Sequence, residues 1–425
     1  MPSWQARPAI IQEAYFQCVA KGWLRGPKTT EHRLAGWFRP KWWFSATNAR
    51  LTACHASADS FYSDPNLMRL FLLLFCVSLA LGCGTANTDS APNSPRSYYG
   101  SASVGDFVTI TVDPAKRTLA YSNLSNEDSG VIPYEVNEDG SYTLNDREGN
   151  LVAAYEAPDY ALLVESTQAG PSHDELALIV ATPSKMVESS AWAGQAYNYM
   201  QFRTNGGGFE VGSLSFDEEG NLTLAGFSPY RSLNGANGYR GKTFSMAGFQ
   251  RDATGNFLTN QENDGTFDYI FNQGNRIFAL DTAEGTTLAL RTRPGKNFDP
   301  SLAGKYKAFY YQKEGARLSG DDEELGKPSL DDATVWISRS GQLIAKDSQG
   351  GILLAATLQP AGSESDLSCR GGCNGLFAFR FAQSNFRQEV FAAFTDRTIL
   401  FSSFRATLPR KPRETYDYLY GVGLK

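Results

Sequence analysis

The chain has 425 residues, of which 42% are apolar, enough for two or three domains with cores of their own. Its 39 basic against 45 acidic side chains leave a net charge of −6, which weighs against nucleic acid and anionic lipid as partners, since both are held by clustered cations. Three histidines and six cysteines leave little material for histidine-based catalysis or multi-ligand metal centres.

The first 67 residues differ from everything after them. They hold five of the seven tryptophans, Trp4, Trp23, Trp37, Trp42 and Trp43, and 8 basic against 4 acidic side chains. At Met68 the character changes: Arg69 precedes the unbroken 12-residue apolar run Leu70–Leu81, and small residues follow. A cation, a short apolar core and small residues are the order of an export signal. The run falls short of the roughly 20 residues that a bilayer-spanning helix needs. Because such a signal is read at an amino terminus, translation is expected to begin at Met68, with residues 1–67 a non-native extension. The alternative is a basic, aromatic arm that binds nucleic acid or membrane.

The apolar run ends in Leu79-Ala80-Leu81-Gly82-Cys83, a small residue directly before a cysteine. This resembles the lipobox of bacterial lipoproteins, with Leu79 one step earlier than the usual leucine. The resemblance covers roughly residues 68–95. It implies that 68–82 are removed as a signal peptide and that Cys83 becomes the acylated first residue, a lipid anchor in the cell envelope. Gly84 stands where an aspartate would retain the protein at the inner membrane, so the resemblance implies the outer membrane. Residues 84–95 lack large apolar side chains and are rich in Ser, Asn and Pro, a composition that cannot offset the entropy of ordering. A flexible tether over 83–103 is expected. From Cys83 onward, 30 basic and 41 acidic side chains give a net −11.

Beyond residue 104, segments alternate apolar and polar side chains and stop at Gly, Asn, Asp or Pro, as in Phe107–Val112, Tyr160–Val164, Phe267–Phe271 and Phe377–Phe381. That is the pattern of strands and tight turns. Turns such as Asn137-Glu138-Asp139-Gly140 and Asn263-Asp264-Gly265 tolerate the positive φ that short hairpins demand. The body is expected to be all-β, a meander of antiparallel strands.

Sliding the chain against itself by about 110 to 120 positions aligns Ala193–Tyr197 with Ala303–Tyr306, Ser213–Phe216 with Thr334–Ile337, and Asn275–Phe278 with Asp396–Ile399. Three tandem units follow, 104–187, 188–297 and 298–425. Eight antiparallel strands in a meander close into a small barrel and lose their exposed edges. The segments Trp192–Tyr197 and Leu302–Tyr306 loosely resemble the first strand of lipocalin-like barrels. A β-propeller is the alternative, with stacked sandwiches third.

Candidate chemistry is sparse. Cys369 and Cys373 close a tight glycine-containing loop, and an oxidising envelope favours a disulfide between them; a zinc site would need two more ligands. His173, the one histidine of the mature chain, sits in an acidic turn and reads as a solvated loop residue rather than a catalytic base. Glu135, Asn137, Asp139, Gly140 and Asp146 approach the spacing of a Ca²⁺ loop, although the same residues make an ordinary hairpin, the preferred reading. Asp321 and Asp322, in the acidic run 320–325, are a second place for a weakly held cation. Tyr197, Tyr199, Tyr310 and Phe379 are candidates either to fill a barrel or to line a ligand cavity.

The leading expectation is a membrane-tethered, non-enzymatic envelope protein that binds a small apolar or carbohydrate ligand, or an envelope partner. A structural or surface-interaction lipoprotein with filled barrels is the second, and a carboxylate-dependent envelope hydrolase the third. A cavity above about 300 Å³ lined by inward aromatics would favour the first, solid cores the second, and an acidic pair at the base of a groove the third.

Overall fold

The computed structural model describes residues 94–145, 149–170, 175–183, 194–203, 209–218, 221–227, 243–253, 255, 257–261, 267–274, 276–283, 285–292, 297–319, 322–324, 326–361, 375–383, 386–407 and 415–425. Apart from turns and one short 3-10 helix, Pro300–Leu302, these residues form antiparallel strands arranged as one closed barrel and two near-barrels.

The first barrel has strands β1 (Arg96–Ala102), β2 (Phe107–Asp113), β3 (Thr118–Asn123), β4 (Ser129–Val136), β5 (Ser141–Asn145), β6 (Leu151–Ala157), β7 (Ala161–Ala169) and β8 (Glu175–Thr182). Each pairs with the next, and β1 pairs with β8 to close the circle, Gly100 lying opposite Ala181. The alternation in β2 sets its faces: Val108, Ile110 and Val112 enter the barrel core, while Thr109 and Thr111 lie opposite, as the two-residue period of a strand requires. In β8 both faces are covered. Ala177, Ile179 and Ala181 point inward, Leu178 and Val180 outward into the core shared with the other sheets, so this strand reads as a near-continuous apolar run.

The first strand corrects the expected extent of the tether, because residues 96–102 belong to the barrel. Its inward positions carry Arg96, Tyr98 and Gly100, and Arg96 breaks the apolar alternation by which the other strands announce themselves.

The second sheet comprises β9 (Ala196–Phe202), β10 (Phe209–Phe216), β11 (Leu222–Phe227), β12 (Thr243–Met246), β13 (Gln250–Arg251), β14 (Leu258–Gln261), β15 (Phe267–Gln273), β16 (Ile277–Thr282) and β17 (Gly285–Arg291). The third comprises β18 (Gly304–Ser319), β19 (Asp322–Glu324), β20 (Lys327–Ile337), β21 (Gln342–Asp347), β22 (Ile352–Thr357), β23 (Gln359–Pro360), β24 (Leu376–Gln383), β25 (Phe386–Phe394), β26 (Thr398–Thr407) and β27 (Thr415–Leu424). Both follow the same circular meander, with the first strand paired to the last, β9 to β17 and β18 to β27. Each circle is interrupted once. The break falls between β12 and β13 in one, and between β22 and β23, joined by Leu358 alone, in the other.

One aromatic-rich core runs between the three sheets and includes Phe107, Leu163, Met200, Phe202, Phe309, Tyr311, Tyr418 and Tyr420. Phe107 stacks on Tyr269 at 4.2 Å, and Phe202 on Tyr420 at 4.5 Å. Burying side chains of this size stabilises by about 1.5 to 3 kcal/mol each. Where the first barrel meets the second sheet, Gly105 has φ +92, and a Cβ there would lie 2.6 Å from the carbonyl oxygens of Thr282 and Ala283. Only glycine permits that approach.

Candidate functional site

The first barrel is closed at one end and hollow at the other. At the closed end Glu156, 6% exposed, receives four donors on its two oxygens. Arg96 Nε and Tyr98 Oη donate to Oε1 at 2.6 and 2.5 Å, and Arg96 Nη2 and Tyr142 Oη donate to Oε2, both at 2.6 Å. Tyr134 stacks on Tyr142 at 4.4 Å. Burial pushes the Glu156 carboxyl up, but these four hydrogen bonds outweigh it and hold the group below its ordinary range. The Tyr98 and Tyr142 hydroxyls are pushed up by burial first, and then by Glu156 through its charge and the hydrogen bond it accepts. This is a saturated ion pair, and a saturated pair seals a floor.

Above the floor lies a cavity of about 100 Å³. Its walls are Val108, Ile110, Leu119, Ile132, Leu144, Val152, Val164 and Ile179, and its polar lining includes Asp106, Tyr121, Asn123, Asp128, Ser166 and Gln168. Several of these polar groups are already engaged: Asp128 Oδ2 accepts from Tyr121 Oη at 3.1 Å, and Asp106 Oδ2 from the Gly170 amide at 2.8 Å. Among the described lining residues there is no histidine, lysine or cysteine, and the lining carboxylates are Asp106, Asp128 and Glu165. Such a chamber suits an apolar group of a few carbons; a dry cavity of about 150 Å³ is known to hold benzene.

Glu165, next to Val164 on β7, turns toward the joint with the third sheet. Its Oε2 accepts from the Ala153 amide at 3.0 Å, and its buried Oε1 has no partner. Burial first pushes its carboxyl up to about 7; the Ala153 amide opposes this next, the charges of Asp331 and Asp332 add to the rise, and Lys307 opposes it least. In the same joint Lys307 Nζ bridges Asp139 at 2.7 Å and Asp332. Burial pushes Asp139 up, yet hydrogen bonds from Lys307 and Ser141 more than offset it and hold the carboxyl at about 2. Tyr160 extends the joint, its hydroxyl 2.7 Å from Thr398 Oγ1 and its ring 4.2 Å beneath the Arg397 guanidinium.

The residues singled out in the sequence are dispersed. Tyr197 is fully buried in the second sheet's core against Phe216 and Phe278, and Tyr199 donates its hydroxyl to Glu210. Tyr310 is buried in the third core, its hydroxyl pushed up by burial and then by Asp331 and Asp347. Phe379 packs half-buried against the same core. None of the four lines the first-barrel cavity.

Asn137 and Asp139 sit in the β4–β5 hairpin. The Asn137 side chain donates to Ser141 and Thr143, and Asp139 Oδ1 accepts from the Ser141 amide at 3.0 Å. Their polar atoms thus serve the turn and Lys307. No group of three metal-ligating side chains occurs among the described residues. Asp322 opens β19, which pairs with β18, whereas Asp321, Cys83, His173, Cys369 and Cys373 lie outside the described residues. The site residues that the sequence did not single out are Arg96, Tyr98, Tyr142, Glu156 and Glu165.

No protein-family profile matches the chain, and no curated protein matches it. Among solved structures, a double mutant of transferrin binding protein B from Haemophilus parasuis Hp5 is 10% identical over 75% of this chain and 65% of its own, with a TM-score of 0.23. The isotype 1 transferrin binding protein B from serogroup B Neisseria meningitidis is 10% identical over 76% and 66%, with a TM-score of 0.20. The chain thus spans just under two thirds of the length of each. At scores this low the superpositions define no common fold, and function is read from the chain's own residues.

Proposed function

We propose that this chain is a lipid-anchored protein of the bacterial envelope, tethered through acyl chains on Cys83 at the outer membrane, and that it works by binding rather than by catalysis. The short apolar run before Cys83 and the Ser-, Asn- and Pro-rich stretch after it support the anchor. The net −11 from Cys83 onward speaks against nucleic acid as a partner. No helix among the described residues is long and apolar enough to cross a membrane.

The binding element is the first barrel. The observation that carries this is its chamber, apolar along the walls, polar among its remaining lining residues and floored by the saturated Glu156 pair. It accepts a small apolar group, such as the short end of an amphiphile, whose polar part meets the polar lining. At about 100 Å³ and with aliphatic walls, it is not the aromatic-lined cavity above roughly 300 Å³ that the leading sequence expectation called for, so its occupant is a small apolar group and not a large ligand.

A second reading, recognition of an envelope partner on the outside, is favoured by one observation. Val131, Val136 and Leu151 on β4 and β6 are 67%, 54% and 73% exposed and offer apolar surface that a partner could cover. Carboxylate-dependent hydrolysis fits less well. Glu165, a lining residue with a raised carboxyl, already accepts from the Ala153 amide and feels the charges of Asp331, Asp332 and Lys307.

Two measurements test the proposal. Radiolabelled palmitate is expected to enter the protein in a bacterial host and to be lost with Cys83→Ser; equal labelling of that variant would refute the anchor. Calorimetric titration with 1-butanol is expected to show one site that Val152→Phe abolishes by filling the chamber. Identical isotherms for the two proteins would refute the chamber.

A further inference from the structure

The second sheet carries a different interior. In β15, Asn272 is 1% exposed, and neither its Oδ1 nor its Nδ2 has a hydrogen-bond partner. In β17, Thr287 is fully buried, and its hydroxyl too has none. Both face inward. Asn272 lies directly opposite Phe278, and Thr287 directly opposite Leu280, and both of those partners belong to the core inside this sheet. Directly opposed residues share a face.

The row that contains Asn272 and Phe278 continues through Ala289 to Tyr199. Tyr199 gives its hydroxyl to Glu210 across the space above Gly226, where a Cβ would collide with both groups. Orphaned buried amides and hydroxyls are rare, because each forfeits its hydration without replacement. Three orphaned atoms on two neighbouring inward rows signal an occupant.

We propose that the interior of the second sheet binds one small neutral polyhydroxylated molecule of monosaccharide size or less, held by the Asn272 amide and the Thr287 hydroxyl. A hydroxyl both donates and accepts, so it satisfies Nδ2, Oδ1 and Oγ1 alike. A cation offers no acceptor to Asn272 Nδ2, and an anion would be repelled by the Glu210 carboxylate. Size is limited by the architecture, since a circle of nine strands is close to the eight-strand barrel that encloses room for side chains or one small ligand. This site is separate from the first-barrel chamber and does not depend on the function proposed for it.

The test uses the full chain with glycerol, glucose, galactose and N-acetylglucosamine, followed by calorimetry and thermal melting. At least one of the four is expected to bind one-to-one and raise Tm. Asn272→Leu and Thr287→Val, which remove the orphaned atoms, are each expected to weaken that binding at least tenfold while leaving the unliganded Tm unchanged or higher. Should Asn272→Leu fail to fold, Thr287→Val alone decides. Binding by none of the four, undiminished binding by the folded variants, or a high-resolution crystal structure grown with the sugar that shows only waters on Asn272 would each overturn the proposal.

Discussion

In the first barrel an ion pair occupies one end of the interior and the other end stays hollow, whereas in the third sheet Tyr306, Phe377, Phe394 and Phe401 pack together in one buried interior cluster. The backbone circles differ in the opposite sense. The hollow barrel is closed by strand pairing all the way round, while the packed one is broken between β22 and β23. Continuous pairing lets a barrel hold its shape around a void, because the hydrogen-bond ladder does not depend on what lies inside. A broken circle needs its contents, and the interleaved rings of Phe298, Phe377 and Phe394, 5.5 to 5.8 Å apart, serve as the contents here.

The largest expected effect breaks the first barrel's floor. Glu156→Gln leaves the Arg96 guanidinium buried without its counter-charge, and the loss should be about 3 to 5 kcal/mol in urea denaturation. A loss below 1 kcal/mol would mean that the floor is not the closed end described here.

The joint between the two regions should show the next largest effect. The folded protein holds Glu165 protonated up to about pH 7, against an ordinary value of 4.5. Stability contributed by the neutral form is complete below pH 4.5 and is lost as pH rises to about 7. The decline should reach at most about 3 kcal/mol. Glu165→Gln, which keeps an acceptor for the Ala153 amide, should flatten the Glu165 part of that profile; a profile identical to that of the parent would show that another group sets it.

Smaller changes sharpen the contrast. Phe401→Leu in the packed interior should cost about 1 to 1.5 kcal/mol by calorimetry, a near-conservative swap that the surrounding rings cannot fully absorb. Trp336→Ala, at a half-exposed position whose ring meets only Lys305 at 5.8 Å among its described ring contacts, should stay within about 0.5 kcal/mol.

Much of the architecture was legible because strands covered on one face alternate, as Phe107–Asp113 does, and because turns such as Asn137–Gly140 declare themselves. The barrel form itself follows from short connections between sequential strands. The floor was not legible. Arg96 is inward-facing but charged, so β1 did not resemble a strand, and its partner Glu156 lies 60 residues away. Glu165 was equally hidden, since nothing in Leu163-Val164-Glu165-Ser166 announces that a third sheet will cover it. The aromatic residues drew attention by type, yet in these interiors Tyr197 and Tyr310 are packing material, and the hollow is walled by aliphatic side chains whose composition resembles any core. Cavities arise from what is missing between strands, and a sequence pattern records only what is present.

The most direct test of the hollow first barrel is methyl NMR of the full chain during titration with 1-butanol. Saturable shifts are expected in the methyl groups that line the chamber, those of Val108, Ile110, Leu119, Ile132, Leu144, Val152, Val164 and Ile179, with those of Val335, Leu343 and Ile399 in the third interior unmoved. Shifts spread evenly over both sets, or none at all, would contradict a hollow first barrel.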